Sequence, residues 1–401
     1  MENLHFIPDS GFMNSFIKSA EEISGQGQNR YIIYKGNLFQ KPSIPRFVKH
    51  EEIIVAPYGS ILFKHTTRNL NQYKRIFFHF LSNEMCDFIL RNKNLNAKFY
   101  WAFWGADMYL PPQLFKNEIY DEQSISYFNK HDSFVSTGNG FFDLIKQLKR
   151  KLTPTRFQKK QLINRSGAIK RIDFFLHYNK SDHELLLKLF DTQTKHLPFF
   201  YFEYDYSKLS DEKDLNRELI NKKFNFGNST VIQLGHSASL TNNHFCLLQH
   251  FSFLKNENIK IICPLSYGDM RYAKAVAEKG KSIFGEKFIP LTDYLSKENY
   301  AALLSRIDIA VMNHLRTEAA GNIFMMLAMG KKVLLNSKSN LFRFLVEQHV
   351  QLFDLDNQEA KNYFSLIQPL NDVAQERNRK IITDCFSAQQ AVSNLKQIFV
   401  S

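Results

Sequence analysis

Short runs rich in β-branched and aromatic residues alternate with helix-period segments from the first residues onward, and the alternation starts afresh near the middle of the chain. In the first half, 4–7, 31–34, 75–80 and 99–103 read as strands, and 11–23 and 84–91 as helices. A polar stretch over 205–228 follows. Beyond it strands are predicted at 230–234, 259–263, 288–291, 307–312 and 332–335, with helices at 242–254, 269–283, 297–305 and 321–329 between them. Strand alternating with helix predicts parallel strands joined by crossovers, because parallel neighbours need a long connection.

Two such series in 401 residues predict two α/β domains. The expected division is an N-terminal Rossmann-like domain over 1–206, a linker over 207–228 and a second Rossmann-like domain over 229–401, whose last helix packs back on the first. Neither half carries a GxGxxG fingerprint, which speaks against a dehydrogenase and for the GT-B architecture, two Rossmann-like domains facing across a cleft. In open α/β sheets ligands bind beyond the carboxyl ends of the strands, so functional residues are expected in the loops after strands.

Two strand ends in the first half carry polar groups. The run Arg75-Ile-Phe-Phe-His79 leads to Asn83, and Phe99-Tyr-Trp-Ala-Phe leads to Trp104-Gly-Ala-Asp107-Met-Tyr109. Asp107 could take a proton from an acceptor hydroxyl, directly or through His79; the alternative is that Asp107 caps the next segment and His79 is a satisfied core histidine. Trp104 is either a stacking surface for a sugar or a buried tryptophan.

In the second half, Gly235-His236-Ser237-Ala-Ser239-Leu-Thr-Asn242-Asn243 brings a glycine, hydroxyls and a helix start together, which suits a diphosphate or simply caps a helix. Tyr267, between Pro264 and Gly268, either faces a base or sugar or belongs to a turn. Asn313-His-Leu-Arg316-Thr-Glu318-Ala-Ala-Gly321-Asn322 runs from a strand into a helix that Gly330 closes. The start of that helix is the preferred diphosphate site, with Arg316 as charge partner and Glu318 as a ribose or sugar contact.

These motifs resemble the TDP-N-acetylfucosamine:lipid II N-acetylfucosaminyltransferases of enterobacterial common antigen synthesis, glycosyltransferase family fifty-six. The likeness rests on the Phe-Phe-His strand end, Trp104-Gly-Ala-Asp107-Met-Tyr109, the Gly235 loop, Pro264-Leu-Ser-Tyr267 and the Gly321 helix. His236 stands where the family has asparagine, Asn243 where it has glutamate, and Asn322 and the alanines before Gly321 depart from its Gln-Gly-Ile-Gly. The resemblance implies a metal-independent transferase without cofactor. Its expected donor is a dTDP-linked deoxy or acetamido sugar, and its acceptor a polyprenyl-diphosphate-linked saccharide. It would work in surface polysaccharide synthesis at the cytoplasmic face of the bacterial inner membrane. Donor contacts would be Gly235, His236, Ser237, Ser239, Asn243, Tyr267, Arg316, Glu318, Gly321 and Asn322; acceptor contacts would be Asn83, Trp104 and Tyr109. The competing readings are a GT-B nucleotide-sugar 2-epimerase and a non-catalytic peripheral membrane scaffold.

Lys and Arg outnumber Asp and Glu by 52 to 39, a formal charge of +13 that implies an anionic partner. The strongest bias is local. No acidic residue lies between Asp143 and Asp173, and over 144–171 Lys146, Lys149, Arg150, Lys151, Arg156, Lys159 and Lys160 form an expected membrane-facing segment beside the apolar Ile145, Leu148 and Leu152. The alternative is a solvated surface helix. Nucleic acid is not expected, because the run lacks interleaved aromatics. Four scattered cysteines indicate neither a disulfide framework nor a zinc site. The N-terminus has no signal-peptide pattern, no segment reaches membrane-spanning length, and the one DxD, Asp354-Leu-Asp356, lies late in a loop.

Overall fold

A computed structural model describes residues 2–35, 45–50, 53–131, 156–202, 204–207 and 217–401. The chain divides into two compact units. One is drawn from Met1–Leu114, Pro154–Asp205 and Phe386–Ser401; the other from Phe115–Thr153 and Tyr206–Cys385. Each is a parallel sheet covered by helices.

The first sheet holds β1 (Asn3–Ile7), β2 (Asn29–Ile33), β3 (Ile53–Val55), β4 (Arg75–His79), β5 (Lys98–Ala102), β6 (Phe174–Leu176) and β7 (Lys195–Leu197) in the order β3-β2-β1-β4-β5-β6-β7. All pairs are parallel. The central strands are buried along nearly their whole length, so apolar and exposed polar residues do not alternate along them, and the polar Asn3, His5 and His79 are buried with the rest. The last helix, Ala388–Val400, belongs to this unit: Leu395, Ile398 and Phe399 pack with Met13, Phe16 and Ile17 of helix Phe12–Ser24, and Tyr100 Oη donates to the Ser401 carbonyl at 3.0 Å.

The second sheet holds β8 (Thr230–Leu234), β9 (Ile259–Pro264), β10 (Phe288–Leu291), β11 (Ile309–Met312), β12 (Lys332–Leu335) and β13 (Phe353–Asp354) in the order β10-β9-β8-β11-β12-β13, again all parallel. Helix Met270–Phe284 shows how the sequence sets a local element. Asp269 accepts from the Arg271 and Tyr272 amides as its cap, and Tyr272, Ala273, Val276, Gly280 and Phe284 form the buried stripe. Both sheets reverse their strand order once, between β1 and β4 and between β8 and β11, where open α/β sheets hold ligands.

The expected linker over 207–228 contains a helix, Arg217–Phe224. Its polar composition hides a structural role: Ile220 is buried, and Asn221 Oδ1 accepts from Arg306 Nε at 2.6 Å. Of the basic run, Lys146, Lys149, Arg150 and Lys151 lie outside the described residues, as do Ile145, Leu148 and Leu152. Arg156, Lys159 and Lys160 lie on helix Arg156–Ile169 and are exposed. No helix among the described residues is long and apolar enough to cross a membrane.

Candidate functional site

In the second unit the loops after β8 and β11 lie side by side, because those strands pair in parallel. Asn242 joins them. Its Oδ1 accepts from the His236 amide at 2.9 Å and lies 3.0 Å from His236 Nδ1 and 3.1 Å from His314 Nε2, two ring nitrogens that are themselves 3.2 Å apart. Glu318 completes the junction: Oε2 accepts from Thr241 Oγ1 at 2.7 Å and pairs with Arg316 Nη2 at 2.8 Å, while Oε1 lies 3.7 Å from His236 Nε2. Burial alone would raise the Glu318 carboxyl. The Arg316 guanidinium, the neighbouring imidazoles and the Thr241 bond outweigh it and hold the group at about 2. Burial lowers His236, and it lowers His314 to about 3, so both imidazoles are neutral near pH 7.

Arg316 and Gly321 open this junction to a ligand. Helix Ala320–Ala328 starts after Ala319, whose φ is +59°, and no side chain caps its first turn. A Cβ added to Gly321 would meet nothing within 4 Å. The Arg316 side chain is 10% exposed and its Nε has no hydrogen-bond partner. Amides at an uncapped helix start, open space over a glycine and a buried guanidinium N–H without an acceptor are the groups that an anion would use. Asn322 is half-buried in the same turn, and Tyr267 stands 52% exposed at the end of β9, its ring 6.2 Å from that of His236.

Other expected donor contacts are absorbed by the scaffold. Gly235 has φ +68°, and a Cβ there would meet His244 Nε2 at 2.4 Å and Asn242 Oδ1 at 2.8 Å, so its missing side chain makes room for protein. Asn243 is fully buried at φ +53°. Its Nδ2 donates to the Asn313 carbonyl at 2.8 Å and its Oδ1 accepts from the Asp121 amide at 3.0 Å, so it locks loops and faces no ligand. Ser237 is buried and accepts from Asn242 Nδ2 at 3.2 Å; Ser239 is half-buried beside Thr241, 2.7 Å between hydroxyls. Asp354 and Asp356 form a local turn, Oδ1 to amide at 3.2 Å.

In the first unit the two residues expected to do acid–base work are sealed in. Asp107 is fully buried: Oδ2 accepts from the Leu81 amide at 2.9 Å and Trp101 Nε1 at 2.6 Å, and Oδ1 from the Trp104 amide at 3.0 Å. Burial raises its carboxyl above the ordinary value against the pull of these bonds. This geometry corrects the base reading: Asp107 clasps the loops after β4 and β5. Arg165, drawn inward from the basic run, completes the clasp by donating to the Leu81 and Asp107 carbonyls at 2.7 and 2.6 Å and to Asn83 Oδ1 at 3.0 Å.

His79 is likewise buried and neutral, desolvation lowering it well below the usual value. Its Nδ1 accepts from Tyr201 Oη at 2.6 Å, and its Nε2 lies 3.2 Å from His5 Nδ1. Trp104 is half-buried and donates to the same Tyr201 hydroxyl at 3.1 Å; Tyr109 is 3% exposed. The sequence singled out neither Arg165, Tyr201, Thr241 nor His314. It also passed over His177, after β6, whose Nδ1 lies 3.2 Å from Asp182 Oδ2.

Residues 204–382 match the model of the family described as 4-alpha-L-fucosyltransferase, glycosyl transferase group 56. Three solved structures share the fold over nearly the whole chain. A glycosyltransferase from Rickettsia africae ESF-5 aligns at 14% identity and TM-score 0.63 over 99% of this chain and 97% of its own. HepE of Anabaena, solved with UDP-glucose, aligns at 11% identity and TM-score 0.63 over 100% and 98%. WaaG, a glycosyltransferase involved in lipopolysaccharide biosynthesis, aligns at 12% identity and TM-score 0.57 over 99% and 98%. The matched family is one of transferases, which supports that reading over an epimerase or a scaffold. Residues 204–382 thus carry the glycosyl transferase group 56 pattern, and the chain is a glycosyltransferase built from the two Rossmann-like halves of the GT-B fold.

Proposed function

We propose that the second unit binds a nucleotide diphosphate sugar with its diphosphate against the first turn of helix Ala320–Ala328. The reading rests on one observation: an uncapped helix start with open space over Gly321 beside the unpartnered Arg316 Nε. As the sugar leaves, charge grows on the diphosphate, and the helix-start amides with Arg316 meet it. Tyr267 is the exposed ring available to the nucleoside or sugar. The family match and the HepE complex with UDP-glucose support a nucleotide-sugar donor, and the resemblance favours dTDP as the carrier.

The acceptor in this reading is a lipid-linked saccharide, presented at an anionic membrane surface on the cytoplasmic side. The exposed Arg156, Lys159 and Lys160 support that placement. In this reading the base for the acceptor hydroxyl is His177, 6% exposed where His79 and Asp107 are fully buried, with the Asp182 carboxylate beside it.

Gly321→Ala tests the donor site. In a helix the change is neutral or stabilising by up to about 1 kcal/mol, since nothing crowds the new methyl. It places that methyl where the diphosphate must lie. Calorimetric titration with dTDP, UDP and GDP should show one of them binding wild type and binding the variant at least about 10-fold more weakly. Equal affinity for both proteins would place the diphosphate elsewhere and end the reading.

A further inference from the structure

In the first unit the side chains of Asn29, His5, His79, Tyr201 and Trp104 form one hydrogen-bonded chain, and its direction is fixed. Asn29 Nδ2 donates to the Glu21 carboxylate at 2.9 Å, so its Oδ1 is the atom that accepts from Asn3 Nδ2 at 2.9 Å and faces His5 Nε2 at 3.3 Å. Burial keeps both His5 and His79 neutral, one proton on each ring. His5 carries its proton on Nε2 and accepts at Nδ1 from His79 Nε2, 3.2 Å away. His79 then accepts at Nδ1 from the Tyr201 hydroxyl at 2.6 Å. The Tyr201 oxygen is left to accept, and Trp104 Nε1 donates to it at 3.1 Å.

The chain ends at the indole. Its one polar atom is committed inward, so what Trp104 offers to solvent is the ring itself, half-buried in the loop after β5. Phe12 opens the helix after β1 and is 40% exposed, its ring 5.8 Å from that of Trp104 at 84°. β1 and β5 flank β4, and the sheet reverses its strand order between β1 and β4, so both rings lie at the end of the sheet where such folds hold ligands. A pyranose has an apolar face of C–H bonds, which packs on the electron-rich face of an aromatic ring while its hydroxyls stay at the rim. Phe12 and Trp104 match one sugar ring in extent and fall well short of the several hundred Å2 of apolar surface that marks a protein or membrane contact.

We propose that Phe12 and Trp104 form an aromatic platform for a pyranose ring of the acceptor, and that Tyr201, held by His79 and His5, is the positioning residue that fixes the indole in it. This rests on the reading above that the acceptor is a saccharide. It gives the buried histidines a task other than acid–base chemistry: they set the angle of a ring at the surface. Phe12 and Tyr201 carry no motif, and only the parallel order of the strands brings them to Trp104.

The test uses the full chain and the emission of its two tryptophans. Trp101 is fully buried, so a stacking sugar and the quencher acrylamide both act through Trp104. The probes are cellobiose, lactose and N,N′-diacetylchitobiose, with phosphatidylglycerol vesicles as the lipid arm and dTDP and UDP titrated separately; ligand-observed NMR gives the sugar affinity of each variant. At least one disaccharide should bind wild type and shift its emission. Phe12→Ala and Trp104→Ala should each weaken that binding by about 10-fold or more with nucleotide affinity unchanged. Tyr201→Phe, which keeps the ring and drops the hydroxyl, should weaken it by about 3–10-fold and raise acrylamide quenching. Wild-type quenching and sugar affinity in Tyr201→Phe would remove its positioning role. A disaccharide that binds wild type and Phe12→Ala alike sinks the platform and leaves the saccharide acceptor standing; vesicles that shift the emission where no disaccharide binds assign the rings to lipid and end both. Nucleotide binding decides the donor site independently of either outcome.

Discussion

Asp107→Asn separates a clasp from a base. Three donors converge on this carboxylate, two on Oδ2 and one on Oδ1. Asparagine keeps one acceptor oxygen. Its best placement faces the Leu81 amide and Trp101 Nε1, which turns the new NH2 group toward the Trp104 amide. That leaves one buried donor unsatisfied, at a cost of about 1–3 kcal/mol, and reduces two charge-assisted bonds to neutral ones, about 1 kcal/mol each. Relief of the desolvation that raises the carboxyl offsets part of this. The net expectation is a loss of about 2–4 kcal/mol, or roughly 5–15 °C in melting temperature for a unit of this size. Scanning calorimetry reads the melting, and nucleotide titration reads the second unit, whose affinity should be unchanged. A variant that melts like wild type but has lost turnover would refute the clasp and restore Asp107 as a base.

Two further outcomes follow from the same accounting. Gly235→Ala puts a methyl 2.4 Å from His244 Nε2 at a φ of +68°, so it should cost about 2–4 kcal/mol by chemical denaturation, whereas an unchanged midpoint would mean the loop has slack that the packing does not show. Burial holds His5 at about 3 and His79 well below its ordinary value, so both are neutral when folded while the unfolded chain takes up their protons below pH ~6.5. Their contribution to stability is complete above pH ~6.5 and declines by about 1.4 kcal/mol per pH unit for each histidine as pH falls from there toward their folded values. Urea midpoints between pH 7 and 5 should fall accordingly, and a flat profile would mean that these rings titrate normally.

The inner strands were legible because parallel strands buried on both faces are rich in apolar residues, as 230–234 and 332–335 are even with Gln233 and Lys332 buried among them. The three-residue strands Ile53–Val55, Phe174–Leu176 and Lys195–Leu197 carry too little pattern to be read alone and exist through their neighbours. The helix at Ala320–Ala328 announced itself through Gly321 and Gly330. The partners of Glu318 did not: Thr241 lies 77 residues away in sequence, and only the pairing of β8 with β11 brings the two together.

Polar residues in strand-end loops look alike in sequence, and what separates them is whether any donor or acceptor remains after the protein has used what it needs. Both carboxylate oxygens of Asp107 and both amide atoms of Asn243 are committed to backbone or to Trp101, which makes these two residues structure. Arg316 keeps an Nε–H with no acceptor. His244 Nε2 also lacks a partner, but it lies against Gly235 and has no access to a ligand. An unmatched atom therefore marks a binding group only where space opens in front of it, and in the second unit that condition is met beside Gly321.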